Sequence, residues 1–149
     1  YDYEDGMQNQ LSKLISIGYL TNNLPGSINS TVDYSDETQD LDLRFRSYID
    51  ANCAHCHRKD SHCDYRPMKL AFSETVTSIN LGLCVEPDEY INSALTYIIT
   101  PSNIDRSMMY YRLNSTETSV RMPLLGRTLI HQEGLDLMEE WINSKVDCN

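Results

Sequence analysis

The stretch Ala51-Asn52-Cys53-Ala54-His55-Cys56-His57 places two thiols three residues apart and an imidazole directly after the second. Thiols add to carbon–carbon double bonds, bind soft metals and oxidise in pairs, and a neutral imidazole ligates metals. C-x-x-C-H is the spacing by which c-type haem is attached. In that reading Cys53 and Cys56 form thioethers with the two vinyl groups of the porphyrin, and His57 lies beneath the ring and ligates the iron. Zinc is the first rival. Cys53, Cys56, His57 or His62, and Cys63 would supply four ligands within eleven residues. Structural zinc sites usually draw ligand pairs from more separated segments, so this set would need a tight knuckle. A redox dithiol is the second rival, but that motif sits between a strand and a helix in a βαβ pattern, which this chain lacks. Two buried or disulfide-bonded cysteines without a cofactor remain the plainest reading.

Haem iron in electron-transfer proteins commonly takes His on one side and Met on the other. The methionines are Met7, Met68, Met108, Met109, Met122 and Met138. Met138 falls on an amphipathic stripe and, with Met108 and Met109, reads as core. Met7 and Met68 lie in weakly patterned surroundings. Met122 precedes Pro123, which biases it to an extended conformation suited to a loop lying across an open haem face. His131 and His62 are the alternative sixth ligands. His131 reads as the opening of the last helix at the surface, and His62 sits too near the cluster to cross a ring.

Three elements must position these residues. A helix beginning near 37–40 runs into the cysteine cluster, with Leu41, Phe45, Tyr48 and Ile49 on one face and Asp40 and Asp42 in its first turn, where the helix dipole favours them. Arg121–Arg127 is a loop by its Pro and Gly. Residues 130–144 form the clearest helix, with Leu135, Met138, Trp141 and Ile142 facing one way. A further helix is expected over 5–19 and a short one over 103–113, capped by Ser102 or Asn103. Residues 21–40 and 58–87 lack periodicity, and no strand is convincing.

Acidic residues outnumber basic ones 22 to 12, for a net charge of −10. Phosphates would be repelled, so nucleic acid is not an expected partner, whereas a basic docking face is. No apolar run approaches the ~20 residues of a membrane span. The chain starts at Tyr1 without a charged-then-apolar leader and reads as a processed or excised chain. Five cysteines point to an oxidising compartment or to cofactor chemistry. The sequons at Asn29 and Asn114 carry little weight. With Cys53 and Cys56 assigned to haem, Cys63, Cys84 and Cys148 remain. The expected bond is Cys63–Cys84, which staples the irregular middle by closing a loop of about 20 residues worth roughly 3 kcal/mol. Cys148 is then free or intermolecular.

The order of helix, C-x-x-C-H, irregular middle, Met-Pro loop and C-terminal helix resembles class I c-type cytochromes. More narrowly, SYIDANCAHCHR and RMPLLGRTLIHQEGLDLMEEWI resemble bacterial mono-haem domains often appended to larger secreted or periplasmic proteins, some with sugar-dehydrogenase-like partners. The resemblance spans roughly residues 41–144. It implies one covalent haem c at Cys53 and Cys56, with His57 and Met122 as axial ligands. It also implies an all-α class I cytochrome c fold over 41–149, preceded by an N-terminal helix and irregular arm over 1–40. The expected function is one-electron transfer, not catalysis, in a periplasmic or extracellular setting. The alternatives are the acceptor domain of a larger dehydrogenase, a subunit of a self-assembling extracellular electron-conducting structure, or a small zinc module. The chain departs from the group after His57-Arg58, where Lys59, Asp60, Ser61, His62 and Cys63 replace a common Pro-Gly continuation. The loop beside His57 is therefore altered, and with it the hydrogen bond to that ring.

Overall fold

A computed structural model describes residues 1–148, in two compact units, Tyr1–Ser30 and Thr31–Asn149. In the first unit, Asp2–Tyr3 (β1) pairs antiparallel with Gly6–Met7 (β2). Gly6 takes φ +102°, a conformation open to glycine and strained for other residues, which lets the chain reverse here. Helix α1 is only Gln10–Ser16, because Asn9 caps it by accepting a hydrogen bond from the Ser12 amide and Gly18 at φ +80° follows its end. The helix expected over 5–19 is thus a hairpin followed by two helical turns, and α1 buries none of its residues.

The second unit is organised by α2 (Leu41–Cys53) and α5 (Gln132–Asn143), which pack against each other. Asp40 caps α2 by accepting from the amides of Asp42 and Leu43. At the crossing, the rings of Phe45 and Trp141 stack with centroids 4.3 Å apart. Both are fully buried, worth about 2–3 kcal/mol each. The Trp141 indole donates to Asp42 at 3.0 Å, so the one polar atom of the buried ring is satisfied. The helix expected over 103–113 is broken by Ser107 into a 3₁₀ turn, Ile104–Arg106, and α4, Met108–Leu113. Asn103 caps the turn through its side chain.

Between α2 and that turn the only helix is α3 (Ser78–Leu81). Polar groups hold this stretch to α2 instead of periodic apolar packing. Arg46 is buried, donates to the Thr75 hydroxyl at 3.0 Å and the Phe72 carbonyl at 2.8 Å, and lies over the Phe72 ring. Asp50 accepts from the Phe72 amide at 2.7 Å. Residues 83–85 and 97–99 run side by side through amide hydrogen bonds such as Cys84 to Ile99 and Ile98 to Val85. The all-α class I cytochrome c fold is therefore not the fold of this chain. Helices hold 30% of the residues, and a two-stranded sheet opens the chain. The reason is local: the middle segment satisfies its backbone through turns and side-chain staples, so it has no need of a helix there.

The disulfide joins Cys84 to Cys148, so the Cys63–Cys84 pairing is corrected, and Cys148 is neither free nor intermolecular. The chain leaving α5 turns back along residues 100–102, where the Ser102 amide donates to the Ile142 carbonyl at 3.1 Å and its hydroxyl to the Lys145 carbonyl at 2.5 Å. That path carries Cys148 to Cys84. Cys63 is held elsewhere, its amide donating to the Cys56 carbonyl at 2.9 Å.

Gly134 in α5 lies directly against Tyr48 of α2. A Cβ at that position would fall 2.0 Å from the Tyr48 hydroxyl oxygen and 2.2 Å from its ring. Helix propensity alone would make Gly134→Ala about 1 kcal/mol more stable. Overpacking should outweigh that, because Tyr48 is only 5% exposed. Gly134→Ala is expected to be destabilising by about 1–3 kcal/mol in urea unfolding. A variant as stable as the parent would show that the ring has room to yield.

Candidate functional site

Helix α2 ends at Cys53, and the chain turns at once. The amides of Cys56 and His57 both donate to the Cys53 carbonyl, at 3.1 and 2.9 Å. This turn fixes the spacing of two thiols that are free, along with Cys63. The Cys53 thiol is mostly covered, and burial, with the neighbouring Cys56 adding to it, pushes it up to about 12. A redox dithiol needs an easily formed thiolate, so the direction here is opposite to what that chemistry requires. Among the described residues, no three His, Cys, Asp or Glu side chains converge to hold a metal ion. The compact zinc set of Cys53, Cys56, His57 or His62, and Cys63 is not assembled.

Residues 58–63 fold back on this turn. The Ser61 hydroxyl donates to the Cys56 carbonyl, and Asp60 sits at φ +59°. This loop leaves His57 unserved. His57 Nδ1 is buried with no hydrogen-bond partner, while its carbonyl accepts from the Leu70 amide at 2.6 Å. Burial holds the ring below the usual histidine range, helped by the nearby cations Arg66, Lys69 and Arg112.

A cavity of about 180 Å³ opens beside Cys53. Tyr48, Asn52 and Cys53 of α2 form one wall, Leu113 closes an end, and the loop Pro123, Leu125, Gly126, Arg127 and Leu129 with His131 forms the other wall. The structure thus brings Cys53 together with the loop that follows Met122. Met122 itself is partly buried against the core cluster and does not line the cavity, nor do Cys56 and His57. The Met122 amide donates to the Arg112 carbonyl at 3.1 Å, tying the loop to α4. Of the other methionines, Met108, Met109 and Met138 are core, and Met7 is 79% exposed. A larger, open hollow of about 390 Å³ near Tyr110, Tyr111 and the Asn114 sequon holds no thiol or imidazole.

No family model, curated protein or solved structure matches this chain. The reading of the site therefore rests on its own residues.

Several residues of the cavity carry no sequence motif. His131, which precedes α5, stacks on Tyr48 at 5.6 Å and meets its hydroxyl through Nδ1 at 3.1 Å, with its Nε2 3.4 Å from Glu133. Both ring nitrogens are engaged. Tyr48 is pushed up to about 12 by burial, so its hydroxyl stays protonated. Arg127 donates to the carbonyls of Leu113 and Ser115 at the end of α4, and its Nε is buried without a partner. Arg121, at the start of the loop, also has a buried, unpartnered Nε. The one sequence signal for the pair was their position on either side of Met-Pro-Leu-Leu-Gly.

The two free thiols at C-x-x-C spacing would suit a covalent haem, but the cavity is lined by only Cys53 of the pair and by neither His57 nor Met122. The cavity is smaller than the ~300–1,000 Å³ usual for a small-molecule site. Its outer wall, however, exposes Leu125 by 86% and Leu129 by 78%. A porphyrin seated between Cys53 and that loop would bury this apolar surface, which otherwise lies in water at a cost.

Proposed function

We propose that this chain carries one haem attached through Cys53 and Cys56, with His57 and Met122 as axial ligands, and that it transfers single electrons. The observation that carries the reading is the pair of free thiols at the turn ending α2, one of them in a cavity whose far wall is the loop after Met122. When bound, haem supplies a one-electron iron couple. The protein's part is to hold and shield it. The α2 terminus fixes the two sulfurs, the stacked Tyr48 and His131 wall one side, and the leucines of the loop exclude water. Both nitrogens of His131 have partners, which favours Met122 over His131 as the sixth ligand. A soft thioether there raises the potential relative to a second imidazole.

No helix among the described residues is long and apolar enough to cross a membrane. The Cys84–Cys148 bond fits an oxidising compartment, and we place the protein in a bacterial periplasm or outside the cell, with a redox protein as partner. The test is direct. Protein made alongside the haem-attachment machinery should keep its Soret absorbance after denaturation and gain the mass of one haem. Complete extraction of the haem into acidified organic solvent would exclude a covalent site, and Cys53→Ala with Cys56→Ala should abolish retention.

A further inference from the structure

The hollow of about 390 Å³ lies where the 3₁₀ turn Ile104–Arg106 meets α4 and the segment after it. Its volume falls within the ~300–1,000 Å³ usual for binding sites. Ile104, Tyr110 and Tyr111 give it an apolar and aromatic lining, and Asp105, Asn114 and Glu117 supply polar groups. Tyr111 is 41% exposed, so its ring is open to an incoming group. Among the described residues, no Lys, Arg or His lines the hollow. Arg112, the one basic residue of α4, interacts with Arg66 and Glu89 instead. Asp105 and Glu117 make none of the ion pairs found among the described residues, and neither do Asp136 and Glu139 of α5. Glu139 accepts from the Tyr110 hydroxyl at 3.4 Å. Burial, then Glu139, and then Asp136 and Asp105 push that hydroxyl above the ordinary tyrosine range, so all three carboxylates lie within electrostatic reach of Tyr110. Two tyrosine rings thus sit among four carboxylates that have no basic partner.

We propose that this hollow docks a lysine or arginine side chain of a basic protein partner. An ammonium or guanidinium group is attracted both by the face of a tyrosine ring and by carboxylates that lack a competing cation. Its aliphatic stem has Ile104 and the tyrosine rings to pack on. A free organic amine offers the same chemistry. The hollow is open, however, and sites for free ligands enclose most of the ligand's surface. A side chain delivered from a partner is enclosed by the partner's own surface as it enters. The net charge of −10 steers a basic partner toward the chain from a distance. None of Cys53, Cys56, His57 or Met122 takes part, so this docking is independent of the haem reading.

The experiment titrates the full chain at low salt with a capped Lys-Ala peptide and, separately, with spermidine, the two matched in charge, while amide resonances are followed. The peptide is expected to shift resonances within residues 104–117 and around Glu139, and to bind more tightly than spermidine. Asp105→Asn with Glu117→Gln, and Tyr111→Ala on its own, are each expected to weaken peptide binding about fivefold or more. Asp33→Asn with Asp36→Asn removes the same charge elsewhere and is expected to change the affinity by less than about twofold. Equal losses in the two double variants would mean diffuse attraction and overturn the proposal. Spermidine bound in the hollow as tightly as the peptide would overturn it in favour of a free-amine site. If a variant does not fold, the wild-type shifts decide, and a peptide that leaves residues 104–117 unshifted overturns the proposal.

Discussion

Replacing Cys84 and Cys148 together by serine is expected to lower the stability of the protein by about 4 kcal/mol. The bond spans 64 residues, and closing a loop of that length in the unfolded chain removes conformational entropy worth about 4 kcal/mol near room temperature. The closed segment contains α4, the Met122 loop and α5, so the unfolded chain regains freedom over most of the unit's second half. The native contacts around the bond do not depend on it alone. The Cys84 amide still meets the Ile99 carbonyl, and Ser102 still ties residues 142–145 to the turn before it. The double variant should therefore fold, with an earlier denaturation midpoint and a similar slope in denaturant. A loss below about 1 kcal/mol would mean that the bond is strained or that the unfolded chain is already compact there.

That bond also marks where the sequence stops being informative. Choosing Cys63 as the partner of Cys84 followed chain distance, the only measure a sequence offers. The fold instead answers to where α5 ends, and the path from Asn143 back past Ser102 depends on packing between segments some forty residues apart. Helices α2 and α5 were legible because each repeats its apolar residues at helical spacing and has a clear start, Asp40 with Asp42 for one and the polar run after Ile130 for the other. The crossing of Phe45 with Trp141 was legible for the same reason. The middle of the chain was not. Arg46 and Asp50 hold residues 72–75 through hydrogen bonds, and a buried arginine serving as a staple has the same letter as a solvated one. The hairpin Asp2–Met7 was missed because two-residue strands carry no alternation to detect.

The site divides in the same way. Cys53, Cys56 and His57 stand out because their spacing is itself a motif, readable along the chain without the fold. His131 was a candidate from the sequence, but the place of Arg127 and Tyr48 beside it becomes visible only once α2 and the Pro123–Leu129 loop face each other across the cavity. The altered continuation Lys59–Cys63 has a visible consequence too. It folds onto the Cys56 carbonyl and leaves His57 Nδ1 unpartnered. A ligating imidazole without a hydrogen bond on its second nitrogen is a weaker donor to iron, because the bond that would raise its basicity is missing.

Met122→Ala should have a large functional effect, again on the proposed haem reading. Alanine removes the thioether but leaves the loop's anchor, since the Met122 amide, not its side chain, donates to the Arg112 carbonyl. Pro123 and the apolar wall also remain. Met138 on α5 is fully buried, Met108 and Met109 are buried on α4, and Met68, partly buried against the core, does not line the cavity. His131 is the nearest alternative, and recruiting it would break its bond to Tyr48. The variant should therefore keep its covalent haem, lose the sulfur-to-iron charge-transfer band of the ferric protein, fall in midpoint potential and bind carbon monoxide stoichiometrically when reduced, where wild type binds none. Met122→His should restore six ligands at a lower potential than wild type. Because Met122 packs on the core and does not line the cavity, its thioether must reach iron through a shift of the 121–129 loop as haem enters. A Met122→Ala protein with an unchanged charge-transfer band and unchanged potential would remove Met122 from the ligand set and show that the loop does not make that movement.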